Sequence, residues 1–499
     1  MSYLLKKKSK LLKVIRNTIY IVFFLTSIFG AYNYTGNKFL YSLFTITNIY
    51  LIIFAFRKKA IFFETFFSLL LFLGYWFKFT MIISFTDGVF REGVGNFDYS
   101  SNNFDYGLII SIIGIIPLIL FGHIRERFFY YPDKINLIKN RNNFFVKYRK
   151  NIIYLFLTLV LTISIINAYF QIYQKGLLPI NEINFFFSGT IKWLLLFGLT
   201  SISTVLIFLE YNYFKKIFNL TIFISLLEVF LSSLSMISRG MIFNSSALLY
   251  GIYKYNKKTV KIMKKENFYI YIFITIVFFY LSVMMVNTIR TNYFYVGKSA
   301  IETKKETGEK LLLENIDQKY LDEIKTKKFN FVDLNNEVFY LIINRWVGID
   351  STLVVSQNKD MLSKNLFVLA LNEKPKKNYP TFYEKTFFLE DVKTYNEKNP
   401  YLNVKGNTLT GVISFLFFTG SFIFLFIGML VLVAIGSLIE IISYKISNSN
   451  LIFASLIGQI IAFRYIHFGY LPKQSYLLFG SIILTLIIMY IFMNKFIKN

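Results

Sequence analysis

The sequence predicts an all-α polytopic membrane protein of about twelve transmembrane helices with one large loop outside the membrane, on three observations. Apolar runs of about 20 residues recur along the chain, as in NIIYLFLTLVLTISIINAYF and SYLLFGSIILTLIIMYIFM, each long enough for a helix to cross a hydrocarbon core of ~30 Å. The composition is 55% hydrophobic and 20% aromatic, with a positive mean hydropathy, well beyond what one soluble core uses. Polar residues collect in short basic connectors and in one long segment, Asn287 to Asn407. The runs are continuous rather than alternating, which argues against an outer-membrane barrel.

In order, the apolar windows fall at Asn17 to Tyr34, Lys38 to Phe56, Ala60 to Phe85, Leu108 to Gly122, Asn151 to Phe170 and Ile191 to Leu209. They continue at Ile217 to Met236, Met241 to Tyr253, Phe268 to Val286, Leu409 to Ile442, Leu451 to Leu471 and Tyr476 to Met493. This divides the chain into residues 1–286 with nine helices, a loop at 287–408 carrying amphipathic helices, and residues 409–499 with three more. The first window follows six cations, yet no A-x-A-like cleavage site comes after it and a second span begins at once, so it reads as a retained helix. Met241 to Tyr253 is short for a span at about 13 residues. In Leu409 to Ile442, Gly428 and Gly436 lie on neighbouring faces and could allow close helix packing, although ordinary tolerance of glycine in membrane helices explains them as well.

The formal net charge of +27 invites a nucleic-acid reading, but its distribution gives another. About 28 cations fall in the connectors on the side of the N-terminus, against about five in the short loops opposite, which is the positive-inside pattern. It places both termini in the cytoplasm and the large loop outside, and no nucleic-acid partner is expected. The loop itself is near balance, with about 19 Lys and Arg against 16 Asp and Glu. Absence of Cys excludes disulfides and thiolate metal sites, and two His are too few for a zinc cluster, so neither metal nor cofactor is expected.

Outside segments follow Phe85 and Phe170, the second with a QKGLLP break that fits a loop dipping into the interface. Within the large loop, AIETKKETGEKLLLENIDQKYLDEIKTKK reads as a solvated helix. NNEVFYLIINRWVGIDSTLVV is amphipathic and is expected to lie on the membrane surface or cap the spans.

Ionisable residues inside spans are costly and need a reason. In LLEVFLSSLSMISRG, Glu228, Ser232, Ser235 and Arg239 stand at i, i+4, i+7 and i+11, a polar stripe on one helix face that ends in arginine at the outer boundary. Headgroup snorkelling explains such an arginine as readily as an anion contact does. Arg290 follows its span in NTIRTNYFY, and Arg345 stands beside Trp346 in INRWVGID; each is a fixed fork of donors suited to phosphate or an interfacial anchor. Arg464 and His467 are neighbours on one helix face, where a lone histidine is usually a hydrogen-bonded packing residue; Glu64 and Glu228 are both candidate partners for Lys78, whose role stays open. No P-loop, nucleophile elbow, HExxH or dinucleotide fingerprint occurs.

With SMISRGMIF, VNTIRTNYF, NRWVGID, QKGLLP and GVISFLFFTGSFIFLFIGM, and with its topology over the whole length, the chain resembles the bacterial O-antigen or oligosaccharide repeat-unit polymerases of the Wzy type. The resemblance implies a GT-C-like, metal-independent inverting glycosyltransferase of the inner membrane. It would join undecaprenyl-diphosphate-linked oligosaccharide units of an O-antigen, capsule or exopolysaccharide at the periplasmic face. It implies Arg239 and Arg290 as holders of the lipid diphosphate, with Arg345 and His467 as further catalytic candidates. Arg464, Glu228, Ser235 and Tyr293 are its substrate-binding candidates, and membrane lipid and a chain-length regulator its candidate partners. A lipid-linked oligosaccharide flippase or other secondary transporter is the alternative from another class, disfavoured by a large insert between late spans. An O-antigen ligase is a further one, disfavoured because the insert lacks histidine.

Overall fold

The computed structural model describes residue 18 and residues 21–86, 88–90, 94, 97–132, 143–174, 184–240, 243–258, 265–307, 343–374, 381–388 and 409–497; for 143, 185, 258, 265, 290–307, 474 and 492–497 it fixes the backbone alone. Helices and their connecting turns make up all of the described residues, with no strand among them. The long helices are α2 (Lys38–Ala55), α3 (Phe62–Phe85), α4 (Ser101–Phe128), α5 (Asn143–Phe170), α6 (Phe186–Phe214), α9 (Lys265–Thr307) and α14 (Phe422–Ile446). Shorter apolar helices are α1 (Ile21–Asn33), α7 (Asn219–Ser235) and α15 (Leu451–Ile466), with α16 (Lys473–Ile497) apolar over Ser475–Ile491. Length and composition qualify seven helices as membrane-crossing among the described residues, fewer than the twelve expected. The remaining window, Met241 to Tyr253, becomes α8 (Phe243–Lys258).

Helix starts follow local chemistry. Side chains of Asn37, Ser100, Ser421 and Asn450 accept from the first free backbone N–H groups of α2, α4, α14 and α15, satisfying donors that have no partner within the helix. The start of α3 is capped from another helix: Glu440 of α14 accepts from Phe62 N at 2.8 Å, Phe63 N at 2.5 Å and the Tyr131 hydroxyl. At this same end, which carries the basic connectors, Glu64 accepts from Arg57 and Arg125, and Glu210 accepts from Arg149 at 2.6 Å. Glu64 therefore does not pair with Lys78, contrary to one expectation.

Two sequence expectations change. The single span read over Leu409 to Ile442 is broken into α13 (Val412–Leu416), a short 3₁₀ turn and α14, because Gly420 takes φ +70° and Ser421 opens a new helix. The anticipated close packing survives the break: a Cβ on Gly428 would lie 3.0 Å from Leu416, and one on Gly436 2.7 Å from Phe63. Helix α9, read as ending at Val286, runs on to Thr307, so Arg290 and Tyr293 stand on a continuous helix rather than in a loop.

The larger change concerns the insert. Its segment 343–357 neither lies on the surface nor only caps the spans; it enters the bundle, turns at Val347–Gly348 and returns as α10 (Ile349–Gln357), a helix buried along eight of its residues. Glycines make room. In α3 a π-turn at Leu73–Phe77 carries Gly74, where a Cβ would sit 2.1 Å from Val347 O; on α4 a Cβ at Gly107 would meet Leu353 at 2.9 Å. The polar atoms of the segment find partners inside: Ser351 Oγ is 2.8 Å from Ser414 Oγ and accepts from Gly411 N, while Ser356 Oγ donates to Asn103 O at 3.0 Å. Two further insert helices, α11 (Lys364–Leu371) and α12 (Phe382–Phe387), pack at the end of the bundle opposite the basic connectors, where Ser363 N donates to Phe418 O. Residues 308–342, with most of the predicted solvated helix and the Val338 to Ile342 part of the amphipathic stretch, and residues 175–179 of the QKGLLP loop lie outside the described residues.

Candidate functional site

Three segments singled out in the sequence meet at one place. The ring of Phe243 stands 6.1 Å from that of Trp346 and 5.7 Å from that of Phe463, and a Cβ on Gly240 would lie 3.1 Å from the Phe463 ring. SRGMIF, NRWVG and FRYIH thus share an aromatic cluster, with Arg239 beside Gly240, Arg345 beside Trp346 and His467 over Phe463 at 4.6 Å between centroids.

Arg239 sits in a turn that the sequence builds with strain. At the end of α7 the β-branched Ile237 takes φ +50°, a region that costs such a residue energy. Bonds from Ser238 N to Ser233 O at 2.9 Å and Ile237 N to Leu234 O at 3.0 Å close the turn. Asn167 of α5 fixes it from outside, donating to Ser235 O at 2.8 Å and to Tyr173 O at 3.1 Å. Ser235 is committed to this turn too, its hydroxyl donating to Ser232 O. Glu228, lower in the same stripe, is fully buried and accepts from Ser232 and Thr200; it does not pair with Lys78.

Arg345 is exposed, and its backbone is held from both sides. Lys78 Nζ donates to Asn344 O at 2.5 Å and Trp346 O at 3.3 Å, the carbonyls flanking Arg345, and forms an ion pair with Asp350 in the first turn of α10. Both members of that pair are buried. The Lys78 partner is thus an insert residue 272 positions away, because the insert dips to the lysine's depth.

At the end of α15, His467 Nδ1 lies 2.8 Å from Phe463 O. A carbonyl only accepts, so Nδ1 is the donor in this contact. Arg464 diverges from His467 despite sharing a helix face: its guanidinium donates to Ser475 Oγ at 2.9 Å, Tyr470 O and Leu471 O, holding the turn into α16. Ser282 of α9 lies 3.0 Å from Ser233 of α7, which brings α9 against the Arg239 turn. Arg290 is about 12 Å further along that helix, and its side chain and that of Tyr293 lie outside the described residues.

Missed from the sequence were Asp350, Asn167 and the aromatic ring set of Phe243 and Phe463. An acid within the apolar run VGIDSTLVV was the available signal for Asp350. Chemically, the cluster offers two guanidinium-bearing segments, apolar ring faces and one imidazole at one end of the bundle. Comparison with protein-family models, with curated proteins and with solved structures finds no match to this chain.

Proposed function

We propose that the chain polymerises undecaprenyl-diphosphate-linked oligosaccharide units by glycosyl transfer at the outer face of a bacterial inner membrane. In this reading the seven long helices, α1, α7, α8, α15 and α16 all cross the bilayer, the termini are cytoplasmic and residues 308–342 belong to a periplasmic loop. The observation that carries the reading is the meeting of the Arg239, Arg345 and His467 segments around Phe243 and Phe463, at the end of the bundle opposite the basic connectors.

Transfer breaks the bond from the sugar anomeric carbon to the diphosphate oxygen and forms one to a hydroxyl oxygen of a second unit. The leaving diphosphate gains charge, which Arg239, Arg345 and Arg290 from α9 offset by charge-assisted donation. The proton of the attacking hydroxyl goes to a base, and this reading assigns that role to Nε2 of His467, whose Nδ1 is engaged by Phe463 O. Lys78 positions rather than reacts, by holding the carbonyls on either side of Arg345.

Incubating the purified full chain with lipid-diphosphate-linked repeat units and resolving the products by size tests this. A ladder of multiples of the unit is the expected result; unchanged single units under conditions where the protein remains folded contradict it.

A further inference from the structure

Between α6, α7 and α8, below the Arg239 turn, one carboxylate is buried without a counter-charge. Glu228 is 0% exposed, and no cation pairs with it among the described residues. Its Oε1 accepts from Ser232 Oγ at 3.1 Å and Thr200 Oγ1 at 3.4 Å, whereas Oε2 has no hydrogen-bond partner among the described residues. Asn244, in the first turn of α8, donates to Thr200 Oγ1 at 3.4 Å and to Leu196 O at 3.0 Å. Leu196 belongs to the π-turn Leu194–Gly198 of α6, a departure from helix geometry that recurs at functional sites. Within one turn of this group, Ser203 Oγ and Ser245 Oγ are buried and likewise lack a hydrogen-bond partner among the described residues.

We propose that Glu228 and its hydroxyl neighbours Thr200 and Ser232 form an internal site for one small monovalent metal cation, sodium in kind. A bare carboxylate held away from water is strongly disfavoured, so the group requires a positive partner or a proton. A proton on Oε2 would still leave that oxygen with no donor reaching it among the described residues. A metal cation removes both problems, taking lone pairs of Oε2 and of the two hydroxyl oxygens, whose own protons are spent on Oε1. One negative charge matches one positive charge. Calcium and magnesium favour further carboxylates or several retained waters, and no group of three or more His, Cys, Asp or Glu assembles among the described residues. The proposal stands apart from glycosyl transfer, since it concerns only binding.

The test is thermal unfolding of the full chain in lipid nanodiscs, titrated with sodium chloride while choline chloride holds ionic strength constant. Wild type is expected to show a saturable upward shift of Tm with sodium, and direct ²²Na⁺ binding should saturate at one per chain. Glu228→Gln should fold without sodium and lose the shift. Ser232→Ala keeps the carboxylate and should move the midpoint to higher sodium, which supplies the readout should Glu228→Gln not fold. The proposal is overturned if choline chloride alone produces the same shift, if no ²²Na⁺ binds, or if either folded variant retains the wild-type midpoint.

Discussion

Lys78 and Asp350 form an ion pair inside the bundle, joining the C-terminal half of α3 to the first turn of the re-entrant helix α10. Removing one member leaves a buried charge without its partner, which costs about 3–5 kcal/mol. Lys78→Met and Asp350→Leu should each lower the stability of the purified protein by that order, and the double substitution should be less destabilised than the two losses combined. Thermal unfolding of the four proteins measures the cycle; simple additivity would separate the two residues.

Close approach of two backbones is the second support of the re-entrant segment. Gly74→Ala sets a methyl carbon 2.1 Å from Val347 O, inside van der Waals contact, so the segment must move away from α3. A loss of about 1–3 kcal/mol is expected, together with faster proteolysis within residues 343–357. Wild-type protease resistance in Gly74→Ala would show that this contact is not needed.

How much of this was legible follows the physics of each feature. Apolar windows fell on helices because hydrophobic length is a local signal, and even the break at Gly420 and Ser421 has a local signature in a residue fit for positive φ followed by a helix cap. Val347 to Val355 is different. An amphipathic stretch has the same pattern whether it covers a membrane surface or enters a bundle, and the difference lies in Gly74, Gly107 and Lys78, each more than 200 residues away in the chain. The Arg239, Arg345 and His467 segments were legible as candidates by residue type. Their meeting place was not, because Phe243 and Phe463 look like any other aromatic in a chain with 59 phenylalanines.

Topology is a separate prediction. Reporter fusions at Lys325 and Asn499 should report opposite compartments, the insert outside and the C-terminus in the cytoplasm. Signals from the same compartment would exclude the twelve-helix arrangement.

Glu373, in the insert between α11 and α12, gives a pH dependence. Burial raises its carboxyl above the ordinary range, the Phe382 N–H at 2.6 Å draws it partly back, and the nearby Glu384 raises it again. Folded Glu373 therefore holds its proton more tightly than unfolded Glu373, so its ionised form opposes folding at high pH and this opposition is relieved as pH falls through the folded value. Hydrogen exchange over residues 381–388, corrected for intrinsic rates, should slow from neutral to mildly acidic pH. In Glu373→Gln it should be slow and insensitive to pH across that window; an unchanged pH profile there would assign the dependence to another group.

The most direct measurement of the central claim is the length distribution of surface polysaccharide in cells carrying Arg239→Ala, Arg239→Lys, Arg290→Ala or Arg290→Lys as the sole copy, at matched expression. Guanidinium forks that bind a leaving diphosphate contribute about 3 kcal/mol or more to the transition state, roughly a hundredfold in rate, and lysine keeps the charge without the fork. The account predicts that long chains disappear in all four while single repeat units persist, with lysine nearly as damaging as alanine. Full-length polymer in both alanine variants would contradict it.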